Sequence, residues 1–250
     1  MEDSQNRAEP IDGAEIKSPF LSKFENFWYH YKWHSIIAAI LLITVTVLSV
    51  QMCTKESYDI HIIYAGDHEI KKTSQGGNIS PYRNALSSFK KVTDDFDDDG
   101  NVNINLLNLF IVNTDEASEL LNKNPGMEIN ETLVREDTDT FDGALVYGEH
   151  YLVFLSERLY LEAEARYEGA VFMPVAGYVP DGTDAELCGT HGVYLRSLPF
   201  YSLPEICNLP DDTVVCLRKL SEVSTAFGKK ENEKNFKRAE TVFKNILAFN

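Results

Sequence analysis

An uncharged run from Ser35 to Thr54 constrains this chain more than any other feature of its sequence. The run, SIIAAILLITVTVLSVQMCT, is preceded by a cluster of aromatic residues between Phe27 and Trp33 and is followed by Tyr58. A helix of about 20 residues, rising ~1.5 Å per residue, spans the roughly 30 Å hydrocarbon core of a bilayer. Aromatic side chains near both ends are typical of the headgroup region. We therefore predict that residues 35–54 form one transmembrane helix in the lipid bilayer.

Two other interpretations of the apolar run are weaker. A buried helix of a small soluble domain usually has a polar face, whereas Ile36 to Val50 is apolar on every face. A cleaved signal peptide usually has a shorter leader and ends in a small-x-small site, which this run lacks. Met52 also occupies the position where a lipidation signal before Cys53 would need a small residue. The sequence therefore favours a retained membrane anchor.

The basic residues near the run predict its orientation. Lys17, Lys23 and Lys32 precede it, whereas only Lys55 follows closely. By the positive-inside rule, residues 1–34 are a cytoplasmic tail, largely disordered because its first part is polar and aperiodic, and residues 56–250 form an extracytoplasmic domain. We expect a single-pass protein of the cell membrane.

The charge balance limits the partners of the exterior domain. The chain has 23 Lys+Arg against 39 Asp+Glu and a formal net charge of −16, of which −14 lies beyond the run. Binding of nucleic acid needs clustered basic residues that replace counterions, so no nucleic-acid partner is expected. An acidic domain instead attracts cations.

Alternating apolar segments predict the fold class of the exterior domain. Strand-like segments alternate with helix-like segments from Tyr58 to Val175, which is typical of a helix-covered α/β domain. We predict one three-layer domain with a mainly parallel or mixed sheet. The predicted strands are 58–64, 102–112, 150–155, 170–175, 192–197 and 213–220, and the predicted helices begin at Pro81 or cover 115–122, 139–147, 157–167 and 231–248.

This order resembles a known family. The succession of YDIHIIYAGD, NALSSFKKV, NVNINLL, a helix ending at Gly148 and HYLVFLS is similar to the first lobe of class II extracytoplasmic solute-binding proteins. The resemblance covers residues 58–175, and the length of the exterior segment matches one lobe rather than two. The overall plan also resembles uncharacterised membrane-anchored exterior proteins of Gram-positive bacteria. The resemblance implies a bacterial binding domain.

An acidic segment after the first predicted helix suggests a calcium site. It matches D-x-D-x-D-G, the first part of an EF-hand-type loop, but Leu106 stands where such a loop has its bidentate Glu. A remote Asp or Glu must therefore complete the ligand set. A solvated acidic helix end is the alternative. The predicted ligands are Asp95, Asp97, Asp99, the backbone carbonyl of Asn101 and, through water, Asn103.

Two strand ends are candidate ligand-binding positions. Gly66 and Asp67 follow the first predicted strand, and Ser156 ends the third, directly before a helix whose N-terminus could receive a ligand oxyanion. An ordinary helix N-cap is the alternative explanation for Ser156.

The cysteines and the absence of catalytic motifs limit the chemistry expected of the domain. Cys188 and Cys207 lie in loop-like segments and are the preferred disulfide pair, whereas Cys216 lies in an apolar strand. The sequence contains no zinc-type His/Cys spacing, no phosphate-binding glycine loop and no nucleophile motif. We expect a non-catalytic binding or interaction module for an unidentified protein or small molecule. A signalling protein with a cytoplasmic tail partner and an exterior metal-dependent hydrolase are the alternatives.

Overall fold

A computed structural model describes residues 19–53, 57–72, 79–180, 182–220, 226 and 228–250. The chain consists of two compact units, residues 1–56 and residues 57–250. Of the tail 1–34 that was predicted to be largely disordered, residues 1–18 lie outside the described residues, as does Lys55, whereas residues 19–34 belong to a helix.

The first unit contains one long helix, α1, from Pro19 to Cys53. Its segment Tyr31–Val50 is long and apolar enough to cross a membrane, and none of that segment is buried. The hydroxyl groups of Thr44, Thr46 and Ser49 each donate a hydrogen bond to the carbonyl oxygen four residues earlier, at 2.9, 2.7 and 2.8 Å. These three hydroxyl groups are therefore satisfied within the helix, as a hydrocarbon environment requires.

The second unit is built on a six-stranded mixed sheet with the strand order β2-β1-β3-β6-β5-β4. β1 pairs in parallel with β2 and β3, and the pairs β3–β6, β6–β5 and β5–β4 are antiparallel. The predicted α/β fold is confirmed, with the mixed form of the sheet. The strands are β1 Ile60–Gly66, β2 Ile104–Phe110, β3 Leu152–Ser156, β4 Leu187–Cys188, β5 Gly192–Tyr194 and β6 Thr213–Leu217.

Helices cover both faces of this sheet. Phe89 of α2 and Phe243 of α6 belong to the core on one face, and Phe141 of α4 and Tyr160 of α5 belong to the core on the other. β3 is buried along its whole length, which explains its continuous apolar sequence. The helices are α2 Pro81–Lys90, α3 Thr114–Lys123, α4 Glu131–Tyr147, α5 Glu157–Arg166 and α6 Lys229–Leu247.

Three elements differ from the sequence-based prediction, and one is the predicted strand 192–197, whose last three residues form a 3-10 helix. The predicted strand 170–175 makes only one isolated bridge, between Phe172 and Arg218, because Pro174 lacks the N–H that would continue a ladder. α4 begins at Glu131 rather than at Asp139. The side chain of Asn130 starts this helix by accepting the backbone N–H groups of Thr132 and Leu133.

Candidate metal centre

Three aspartates from two parts of the chain meet at one point of the second unit. Asp59, Asp95 and Asp97 each offer a carboxylate oxygen, and these three oxygens lie within 4.8 Å of one another. Asp59 is buried directly before β1, whereas Asp95 and Asp97 lie partly exposed in the loop after α2. A cluster of carboxylate oxygens at this spacing could hold a metal ion.

Asp59 fixes the acidic loop to the start of β1. One carboxylate oxygen, Oδ1, accepts the backbone N–H of Phe96 at 2.7 Å, and the other, Oδ2, accepts that of Asn103 at 2.8 Å. The backbone N–H of Asp59 donates in turn to the carbonyl oxygen of Asn103 at 2.8 Å. The ionised side chain is thereby compensated for its burial.

The sharp turn within the loop forms around Asp95. Its Oδ2 atom accepts the backbone N–H of Gly100 at 2.8 Å, and its Oδ1 atom accepts that of Asp99 at 3.3 Å. Gly100 has a φ of 86°, in the left-handed region that favours glycine. Gly100, the glycine of the D-x-D-x-D-G pattern, therefore allows the sharp turn of the loop.

Asp97 has one oxygen engaged and one oxygen without a partner. The Ser57 hydroxyl donates to Asp97 Oδ2 at 2.5 Å. This hydrogen bond, assisted by the nearby charge of Arg238, lowers the pKa of Asp97 below its ordinary value. The second oxygen, Oδ1, is shielded from solvent and has no hydrogen-bond partner. The carboxylate therefore stays ionised and keeps a free acceptor.

Arg238 of α6 partly balances the charge of the group. Its guanidinium donates to the backbone carbonyl oxygens of Tyr58 at 2.9 Å and of Asp59 at 3.4 Å. Three carboxylates and one guanidinium leave two negative charges. A divalent cation would neutralise this remainder.

The predicted loop ligands divide between two roles. Asp95 and Asp97 belong to the group within 4.8 Å, whereas Asp99 does not. Asp99 Oδ1 accepts the backbone N–H of Asn101 at 2.7 Å and so stabilises the turn. Asn103 contributes its backbone N–H to Asp59. Sequence reasoning called for a remote acidic residue without identifying Asp59; the available signal was an aspartate directly before a buried strand.

The second candidate position lies where β1 and β3 end side by side. A Cβ atom on Gly66 would stand 3.5 Å from the Cβ of Ser156 and 3.1 Å from the phenol oxygen of Tyr64. Because β1 lies between β2 and β3 in the sheet, this edge is the switch point at which open α/β sheets bind ligands. Ser156 precedes α5, but its hydroxyl makes no capping hydrogen bond. Asp67 follows Gly66 and has one shielded, unpartnered oxygen.

The disulfide predicted between Cys188 and Cys207 is not formed in the structure. Cys188, Cys207 and Cys216 are free thiols. Cys188 is buried in β4, where its carbonyl oxygen accepts the Tyr160 hydroxyl at 2.8 Å, whereas Cys207 is exposed on the turn Ile206–Asn208. Burial raises the pKa of the Cys188 thiol, which makes it less reactive.

No protein-family model, curated protein or solved structure matches this chain.

Proposed function

We propose that this protein is a single-pass, membrane-anchored binding module whose domain of residues 57–250 lies outside the cytoplasm. The observation that carries the proposal is the exposed apolar helix segment Tyr31–Val50, in which the hydroxyl groups of Thr44, Thr46 and Ser49 are satisfied within the helix. Exposed aromatic side chains before the segment, including Trp28 and Tyr29, support an interfacial boundary. The excess of lysine before the uncharged run 35–54, with Lys17, Lys23 and Lys32 on one side and Lys55 on the other, supports the orientation.

Membrane fractionation tests the anchor. We expect the full-length protein, expressed in a bacterial host, to remain in the membrane pellet after alkaline carbonate extraction. Ile40→Lys, which places a charge in the apolar segment, should move protein to the soluble fraction. Ile79→Lys is the matched control, because Ile79 is an exposed apolar residue outside the segment. Recovery of the wild-type protein in the soluble lysate would contradict the anchor.

We further propose that the ion at Asp59, Asp95 and Asp97 is calcium. Three carboxylates provide hard oxygen donors, and Asp97 Oδ1 is shielded and unpartnered. Calcium accepts irregular oxygen shells that backbone carbonyls and water can complete. Extracellular calcium sites have a Kd of about 10⁻⁴ to 10⁻³ M. At tenfold excess over Kd, occupancy stabilises a fold by about 1.4 kcal/mol.

Thermal unfolding tests the calcium site. The detergent-solubilised full-length protein should unfold at a higher temperature in millimolar calcium than in EGTA. Asp97→Asn should abolish this increment, because it weakens the shielded oxygen that a cation would contact. Asp94→Asn should preserve it, because Asp94 is exposed in the same loop and lies outside the group. Equal unfolding temperatures in calcium and EGTA would contradict the site.

The proposed role is binding of a protein or small-molecule ligand rather than catalysis. The switch-point edge formed by Gly66 and Ser156 supports it, because open α/β sheets bind ligands at such edges. The resemblance to one lobe of class II solute-binding proteins is part of this proposal.

A further inference from the structure

Three residues form a row across the sheet at the switch-point edge. Ser156 of β3 pairs directly with Thr213 of β6, and the pairing of Ala65 with Leu155 places Gly66 beside Ser156 on the other side. Side chains alternate between the faces of a strand, so this row shares a face with Tyr64. Ser156 is 5% exposed and Thr213 is fully buried. The row therefore consists of one glycine and two buried hydroxyl residues.

Three polar atoms of this edge lack hydrogen-bond partners. Ser156 Oγ, Thr213 Oγ1 and Asp67 Oδ1 are all shielded from solvent, and none has a hydrogen-bond partner. Folded proteins rarely leave buried polar atoms unpaired, because each loses its hydrogen bonds to water without replacement. Three such atoms at one sheet edge indicate that a polar group from outside the chain belongs there.

The charge around the row favours a cation. Each row residue has an acidic neighbour in the sequence: Asp67 after Gly66, Glu157 after Ser156, and Asp212 before Thr213. Burial raises the pKa of Asp212, and the charges of Asp67 and Glu157 raise it further, which places these carboxylates near one another.

Two local groups offset part of this acidity without entering the row. The backbone N–H of Glu157, at the start of α5, interacts with the Asp212 carboxylate. The Arg196 guanidinium donates to the Asp211 carbonyl oxygen at 2.8 Å, but its charge is paired with Glu186 at 2.7 Å. The unpartnered hydroxyl groups therefore remain on an acidic edge.

The spacing of these acids favours an organic cation over a metal ion. Among the described residues, Asp59, Asp95 and Asp97 are the acidic group gathered within 4.8 Å, and Asp67, Glu157 and Asp212 are not gathered in this way. A primary ammonium group has three N–H donors. These three donors match the three unpartnered oxygen atoms, one each on Asp67, Ser156 and Thr213.

We propose that the edge formed by Gly66, Ser156 and Thr213 binds the primary ammonium group of a small organic ligand, with Asp67 supplying the counter-charge. Glycine at position 66 adds no side chain to the row, where a Cβ atom would lie 3.1 Å from the Tyr64 phenol oxygen and 3.5 Å from the Ser156 Cβ. This inference rests on the proposed binding role and names its ligand class. It can fail while the membrane anchor and the calcium increment hold, because those have separate measurements.

Ligand-dependent unfolding of the full-length protein in detergent tests this site. We expect ethylammonium chloride to raise the unfolding temperature more than tetramethylammonium chloride at equal ionic strength, because only ethylammonium has N–H donors. The double variant Ser156→Ala/Thr213→Val, which removes both hydroxyl groups at nearly constant volume, should weaken the apparent affinity for ethylammonium at least about tenfold. Retention of the calcium increment by this variant would show that it is folded.

A second variant keeps the test decisive if the double variant does not fold. Asp67 is partly exposed, so Asp67→Asn removes charge with little effect on packing, and it should also weaken the ethylammonium response. Equal responses to both cations, or equal responses of wild type and Asp67→Asn, would overturn the proposal. Electron density for water alone at the row in crystals grown with ethylammonium would also overturn it.

Discussion

The buried carboxylate of Asp59 accepts the backbone N–H of Phe96 at 2.7 Å, across 37 positions of sequence. Its other oxygen accepts the N–H of Asn103, so one side chain holds the loop on both sides of its turn. The acidic loop is therefore positioned by the start of β1 as well as by its own turn. This relationship makes Asp59 a structural residue even when no ion is bound.

Asp59→Asn should destabilise the protein in EGTA by about 2 kcal/mol, because an amide keeps one acceptor and presents an N–H₂ group to the other backbone donor. Urea unfolding of the detergent-solubilised protein measures the change. Asp94→Asn, in the same loop but exposed, should change the unfolding free energy by less than about 0.5 kcal/mol. Equal effects of the two substitutions would show that the Asp59 hydrogen bonds do not hold the loop.

Asp99 belongs to the ligand set that the sequence pattern predicts but not to the group of three aspartates in the structure. The D-x-D-x-D-G pattern predicts that Asp99 binds calcium, whereas in the structure it accepts the N–H of Asn101 and lies outside the group of three. Asp99→Asn keeps the Oδ1 acceptor, so the calcium increment in unfolding temperature should persist. Asp95→Asn should abolish it, each variant being compared with its own EGTA baseline. Loss of the increment in Asp99→Asn would favour the ligand set of the pattern.

His150 makes the domain sensitive to acid. Burial, followed by the neighbouring charges of His61 and Arg218, lowers the pKa of His150 to about 4. The unfolded chain, with a pKa of 6.5, binds this proton more readily than the folded chain does. Stability should therefore fall as the pH decreases from 6.5 toward 4, by at most about 1.4 kcal/mol per pH unit from this group.

His150→Phe should remove this part of the pH dependence, because phenylalanine has no titratable nitrogen and fills similar space. Urea unfolding at several pH values between 4 and 7 measures the slope. His68→Gln is the control at a partly exposed histidine and should keep the wild-type slope. Equal slopes of unfolding free energy against pH for wild type and His150→Phe would contradict the prediction that His150 stays neutral in the folded protein.

Arg218 holds the end of α4 from within the core. It is 1% exposed, and its guanidinium donates to the carbonyl oxygens of Leu145, Gly148 and His150. The Leu145 carbonyl lies in the last turn of α4 and lacks the partner that a continuing helix would supply, and the other two carbonyl groups lie in the connection from α4 to β3. Arg218→Met should lower the unfolding free energy by about 3 kcal/mol, because three carbonyl groups lose their donor. Arg83→Met is the control, because Arg83 is exposed. Comparable losses of unfolding free energy in the two variants would contradict this role of Arg218.

The parallel half of the sheet was predictable because its strands and helices have strong periodic signals. The strands β1, β2 and β3 are apolar runs, and helices with recognisable N-caps separate them. Ser80, for example, is the N-cap of α2. The antiparallel half was harder, because β4 and β5 are only two and three residues long. Strands this short show no periodicity, and only their partners in the folded sheet define them.

The site was predictable only in its local part. Asp95, Asp97 and Gly100 lie close together in sequence, so their pattern identifies the turn. Asp59 joins them through tertiary structure, and Ser57, two positions before Asp59, and Arg238 of α6 lower the pKa of Asp97. A single sequence has no signal that links these segments across such distances.

Thiol labelling of intact cells is the most direct test of an exterior domain on a membrane anchor. In a Cys53→Ser background, Cys207 is exposed, whereas Cys188 and Cys216 are buried. A membrane-impermeant maleimide should label the protein before lysis, and Cys207→Ser should remove the label. Labelling that requires permeabilised cells would place the domain on the cytoplasmic side and contradict the proposed topology.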